Sequence, residues 1–390
     1  MDLIIILIAI SFLAVILSKP FFNKINVPIS LSAMFIGIVL GIFPIWQETA
    51  KSEGFSSLAN VGMLFLIFSL IFQVHRSKRK KEKEFRKYLV KSGILIVTLE
   101  LLILFPLVYF FLENNFLSAL LVSLIFTTVA EPLVIPFLKK FKIVNTKLGK
   151  SIIGIGVLDN AFEYIVILIA SFSSISGNAD FKTLLITLSS TVVAFILIRQ
   201  FSKTKYVEEF IIKLDSSRLF LLSIGTLFLF GGILSFVELE FLGAVIAAFL
   251  MRNVVKDLPK KHTDGLREVI NVSSDGLFGP IFYLWVGLST SLGYIVQKPM
   301  LAILLVVIGL FAKIIPVLIA TVKDMNLHSS LILGVALKFG SGIVFIKLLF
   351  EKAVISELTY TLIIAAILIY RIIIPLLLGN LIKGWRKQIV

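Results

Sequence analysis

The chain has 390 residues, 58% of them apolar, a mean hydropathy of +1.04 and a formal net charge of +15. A water-soluble fold cannot hide so large an apolar fraction in one core, because most of a soluble surface must be wetted, so the expected solvent is lipid. There is no cysteine, and His75, His262 and His328 fall in expected loops, which excludes disulfides, thiolate or histidine-cluster metal sites and a serine triad inside the membrane.

Apolar runs of roughly 17 to 25 residues recur along the chain, each long enough to cross a ~30 Å hydrocarbon layer as a helix. A barrel strand would alternate apolar and polar over about ten residues, a pattern the sequence lacks. The expected spans are 3–18, 28–45, 57–74, 88–112, 116–138, 149–173, 182–200, 219–237, 241–255, 275–292, 299–322, 329–350 and 359–382, about thirteen in all. The Met-Asp-Leu-Ile-Ile-Ile start lacks a basic leader and a small-residue cleavage site, so it reads as the first span. No soluble domain is expected after the last span. There is no Walker loop and no Gly-x-Gly-x-x-Gly after a strand, so the energy for any transport comes from an ion gradient. Neither an enzymatic activity nor a bound cofactor is expected.

The basic residues are unevenly placed. With the C-terminus in the cytoplasm, the cytoplasmic connections and tail carry 29 of the 38 Lys and Arg residues, eight of them between Arg76 and Lys87. The opposite connections carry four: Lys51, Lys182, Lys298 and Lys352. Such a bias orients a multi-pass protein in a plasma or inner membrane, here with the N-terminus outside and the C-terminus inside. The positive charge is thereby accounted for by topology and the lipid bilayer, and no nucleic-acid partner is expected.

A charge at mid-bilayer costs roughly 2.5 to 3.5 kcal/mol on insertion scales, so each needs a partner, water or a function. Seven stand out: Glu100, Glu131, Asp159, Glu163, Lys313, Lys338 and Arg371. A mutually paired cluster in the bundle interior is one reading; ion pairs that hold helices in register are the other. In the sixth expected span Asp159 and Asn160 lie near mid-membrane, with Gly154 and Gly156 before them admitting a close neighbour. Glu163 follows one turn along a similar face. Three oxygen-bearing side chains on one face suit a hard monovalent cation, and a carboxylate desolvated there lets proton and cation compete for one site. In the fifth span, Thr-Thr-Val-Ala-Glu-Pro at 127–132 places Thr127, Thr128 and Glu131 beside Pro132, whose missing N–H frees a carbonyl. A second weak point is Lys-Phe-Gly-Ser-Gly at 338–342, with Gly340, Ser341 and Gly342 as the break. Two interrupted helices, one in each half, point to an inverted-repeat transporter.

At these residues the chain resembles the cation/proton antiporter superfamily, specifically its sodium/proton-exchanger membrane domain, over almost its whole length. Val27–Gly41 resembles the early proline-to-glycine helix, Leu58–Gln73 the "LAxxGxxxLxFxxGLE" helix and Ala130–Pro132 the Thr-Asp-Pro break. Asp159-Asn160 resembles the paired Asp-Asp or Asn-Asp, Pro280–Leu288 "PxFFxxVGL" and Ile332–Gly342 "LLGxxLxxRGE". The resemblance implies an all-α fold of about thirteen helices with two crossing broken helices, a core at about 88–173 and 299–382, and a scaffold or dimerisation part at about 1–74 and 182–292. It implies exchange of sodium or potassium for protons by alternating access, usually in a homodimer, with room for an unknown regulatory partner. Asp159 would be the ion and proton carrier, Asn160, Glu131, Thr128, Thr127 and Glu163 its oxygen neighbours, and Lys313, Lys338 and Arg371 the counter-charges. The family's second acid is Asn160 here, which leaves an exchange-deficient sensor or regulatory member, or a carrier of another solute, as alternatives.

Overall fold

The structure, a computed structural model, describes residues 2–25, 31–73, 83–127, 134, 138, 141–144, 146–156, 158, 189–190, 192–193, 195–196, 200, 214–237, 239–255, 258, 260–338 and 342–387. The described residues are helical, with turns and short connections and no strand. Six helices are long and apolar enough to cross a membrane, or seven if one bent pair counts as a single span. The thirteen spans expected from hydropathy are therefore not all matched by separate long helices among the described residues. The spans expected at 149–173 and 182–200 lie largely outside them.

The chain divides into two compact units, the first comprising Met1–Ile16, Ser30–Val74 and Ile167–Leu288. Its helices are most of α1 (Asp2–Ile25), α2 (Leu31–Leu40), α3 (Pro44–Lys51), α4 (Glu53–Gln73), α7 (Ser216–Ser235), α8 (Glu240–Val254), α9 (Lys260–Ser273) and α10 (Gly279–Leu288). The run 28–45, expected as one span, is split. Pro44 disfavours helical backbone at Phe43, which sits extended at φ −95°, ψ 124°, and a new helix starts at Pro44 turned 117° from α2. α2 packs backbone to backbone against α10 at Gly37 and Gly287, where an added methyl on Gly287 would strike the Met34 carbonyl. In lipid this is how helices associate without a hydrophobic force between them: small residues let the backbones approach. α9 is polar on one face and buries Leu266 and Ile270. It runs through a π-helical turn, Ser274–Phe278, into α10, so the expected span 275–292 is the end of a longer helical segment.

The second unit comprises Leu17–Ile29, His75–Val166 and Ser289–Val390. It holds α5 (Lys83–Phe111), α6 (Phe116–Thr127), a helical stretch at 147–156, α11 (Leu292–Gln297), α12 (Pro299–Thr321), α13 (Leu327–Leu337), α14 (Ile343–Glu351) and α15 (Glu357–Lys387). α5, α12 and α15 have 29, 23 and 31 residues and can cross. α13 has 11 residues and ends at its cap Lys338, so it rises only about 16 Å and stops inside a ~30 Å layer; α6 is described over Phe116–Thr127. Their starts are set by side chains: Asn115 accepts from the Leu117 and Ser118 N–H groups, and Asn326 accepts from Ser329. Glu113 accepts from the N–H and hydroxyl of Ser356, and Ser118 donates to the Val354 carbonyl, tying the α5–α6 and α14–α15 connections together. Lys147 donates to the Asp324 carbonyl and so ties the region before 147–156 to the α12–α13 connection. Each tie joins connections that the charge distribution places on one side of the membrane.

Candidate functional site in the second unit

Two backbone carbonyls of α6 are met by ammonium groups: Lys313 of α12 donates to the Thr127 carbonyl, and Lys338 donates to that of Phe126 at 2.7 Å. Buried ammonium groups need such oxygen partners from the protein, because water is scarce at mid-membrane. The Thr127 hydroxyl turns back to the Leu124 carbonyl, so the residue offers its carbonyl, not its side chain, to Lys313.

The carboxylate that holds both lysines is Glu100 of α5. Its Oε2 lies 2.7 Å from Lys313 Nζ and its Oε1 3.6 Å from Lys338 Nζ. Glu100 and Lys313 are wholly buried, and Lys338, which caps the C-terminus of α13, is 2% exposed. The Lys338 ammonium also lies over the Phe126 ring, 4.2 Å from its centroid, and 5.2 Å from that of Tyr370. Tyr370 is fixed by bonds from its hydroxyl to the Leu305 and Val306 carbonyls, and it fits because Gly309 has no side chain to collide with it. Ile125, Phe126, Lys338, Gly342, Ile367 and Tyr370 line a small cavity with room for about one water molecule.

Of the residues singled out in the sequence, Lys313, Lys338 and Thr127 are brought together here. Gly342 lines the cavity just before α14, and Arg371 is buried on α15 beside Tyr370. Asp159, Asn160, Glu163, Thr128, Glu131, Pro132, Gly340 and Ser341 lie outside the described residues. Glu100 stood out in the sequence as a charge in an apolar helix but was assigned no place at the site. Its signal was its position, four acids and three bases being available to pair; its partners required the tertiary geometry. Among the described residues no group of three or more His, Asp and Glu could hold a metal ion.

The profile of the family described as "Sodium/hydrogen exchanger, transmembrane" matches residues 8–384. The chain belongs to this family. Its members are transporters, and the chain is accordingly an integral, multi-pass membrane protein. It is 26% identical over 333 residues to the putative Na(+)/H(+) antiporter YjbQ of Bacillus subtilis, which covers 81% of this chain. The chain spans about half of that relative, 52%. It is 24% identical over 382 residues to the Na(+)/H(+) antiporter of Enterococcus hirae, with 93% of each chain covered. In three dimensions it is similar to the sodium proton antiporter MjNhaP1 from Methanocaldococcus jannaschii, solved at pH 8. The TM-score is 0.63 at 15% identity, covering 96% of this chain and all of that one. That likeness shows the fold the two chains share.

Proposed function

We propose that this family member exchanges a monovalent cation, sodium or potassium, for protons by alternating access, with the second unit carrying the ion site. The observation that supports this most is the set of oxygens at Phe126 and Thr127 of α6 and Glu100 of α5, where a carboxylate and two backbone carbonyls converge on unit positive charges. A dehydrated monovalent cation seeks the same donors as an ammonium group, so the two compete for one place. In this reading Asp159 is the carboxylate that takes either the cation or a proton, with Asn160, Glu131, Thr128 and Glu163 supplying further oxygens. Lys313 and Lys338 donate to the Thr127 and Phe126 carbonyls, and Glu100 keeps them there. Arrival of the cation displaces an ammonium from part of this set, which ties cation binding to rearrangement of the broken helices. The assembly expected is a homodimer.

The test is proton flux in proteoliposomes driven by a sodium or potassium gradient. Exchange is expected in the unmodified chain and is expected to vanish in Asp159→Asn; exchange that survives that change removes Asp159 from the carrier role. Asn160, standing where the resemblance to the family implies a second acid, favours a second reading, an exchange-deficient sensor. That reading predicts no cation-driven pH change at any protein density. A carrier of anionic solutes fits less well, because Lys313 and Lys338 already face Glu100 and the α6 carbonyls.

A further inference from the structure

A third buried lysine lies on the half-helix that leads away from the cavity. Lys347 is five residues past Gly342 on α14, about 7.5 Å further along the helix axis. Its side chain is wholly buried, yet its ammonium is 2.6 Å from Oε1 of Glu351 one turn on, and that carboxylate is 31% exposed. The ammonium also donates to the Ser289 hydroxyl at 2.7 Å and lies over the stacked rings of Phe350 and Tyr360, 5.0 and 5.4 Å from their centroids. The titratable and polar groups facing it are thus Glu351 from its own helix, Tyr360 from α15, and Ser289 and Thr290 from the connection after α10. Thr290 in turn bonds the Tyr360 side chain. Glu113 accepts from Ser356, in the connection that follows Glu351.

A lysine that only joined two helices could be replaced by packed apolar side chains at little cost, and often with a gain. What this arrangement offers instead is a graded path: an amine in a dry interior, one turn of helix, then an acid at the rim. We propose that Lys347 and Glu351 form a proton relay between the interior of the second unit and the membrane face on which Ser289 and Glu351 lie, which the charge bias makes the exterior. The proposal rests on the exchange reading, which supplies the protons. In release, an N–H bond of the Lys347 ammonium breaks as an O–H bond forms on Glu351. The ion pair becomes an amine and a carboxylic acid, the acid gives its proton to water at the rim, and the amine takes the next proton from the interior. Uptake runs the same steps in reverse. A dry site brings the ion pair and its proton-transferred form closer in energy than water would, which is what a relay requires.

The test uses the full chain in proteoliposomes, with proton flux driven by a sodium or potassium gradient and pH varied on each face in turn. Lys347→Arg keeps the ion pair but cannot shed its proton. Flux is expected to fall on the order of a hundredfold, the scale of losing one positioned proton-transfer group, while the thermal unfolding of the protein stays close to that of the unmodified chain. Glu351→Gln is at the rim, where misfolding is a smaller risk, and is expected to displace the pH dependence on its own face only. Unmodified chain that exchanges, with Lys347→Arg equally fast or Glu351→Gln unchanged on both faces, overturns the relay and leaves the exchanger reading intact. Unmodified chain without cation-driven flux overturns the exchanger reading, and the relay with it.

Discussion

The two units spend their buried polarity differently. Among the described residues, the polar side chains that the first unit buries whole are hydroxyls, such as Ser11, Ser32, Ser69, Ser223 and Thr226, and those whose bonds are known turn back onto their own helix. The second buries Glu100, Lys313, Lys338, Lys347 and Arg371, and its short helix α13 stops inside the bilayer. Hydroxyls satisfied within a helix leave it free to pack as an apolar cylinder, whereas buried charges bind helices to one another through directional partners. The difference teaches where rigidity and chemistry lie: backbone contact at glycines in one unit, and ion pairs that a cation or proton can rearrange in the other.

The largest expected effect comes from breaking that arrangement. Glu100→Leu removes the carboxylate that faces two buried ammonium groups, a loss of about 3 to 5 kcal/mol for an uncompensated buried charge. Unfolding in detergent by denaturant or heat measures it. Adding Lys313→Met to the same chain is expected to recover part of the loss, and the double-mutant cycle then gives the coupling of the pair. Additive losses would mean that Glu100 and Lys313 do not act as a pair. The first unit should break at its glycines instead. Gly287→Ala forces α10 away from the Met34 carbonyl of α2, an overpacking cost of about 1 to 3 kcal/mol. Once folded, that variant is expected to exchange with the unmodified cation dependence. A changed dependence would place chemistry in the first unit and dissolve the contrast.

How much of this could be read in the sequence follows the same division. Composition and apolar run length gave the membrane setting, and the unusual charges marked Lys313 and Lys338 directly. Glu100 was visible as a misplaced charge, but its partners lie 213 and 238 positions along the chain, a pairing that no local pattern encodes. Lys347 lies three residues from the end of the expected span 329–350, where hydropathy alone gives no sign of its burial. With α14 beginning at Ile343, it falls in the middle of a short helix and is buried. The bend at Phe43-Pro44 was hidden in the opposite way, inside an apolar stretch whose hydropathy does not register the backbone restriction that proline imposes. α9 escaped because its exposed face is polar, although Leu266 and Ile270 anchor it.

The smallest effects sharpen the comparison most cleanly, because helix caps are chemically alike in the two units. Asp215 caps α7 in the first by accepting from the Arg218 N–H, and Asn326 caps α13 in the second by accepting from Ser329, both at 2.9 Å. Replacing either by Ala is expected to cost about 1 kcal/mol. The consequences should nevertheless part. α13 ends at Lys338, whose ammonium rests on the Phe126 carbonyl, so loosening its first turn allows the whole short helix, and the charge at its far end, to shift against α6. α7 carries no buried charge among the described residues, so loosening it moves only apolar contacts. Asn326→Ala is thus expected to raise the cation concentration needed for half-maximal exchange, and Asp215→Ala to leave it unchanged at equal loss of stability. Equal shifts in both would mean that stability alone governs exchange, and that the buried charges of the second unit hold helices together without taking part in transport.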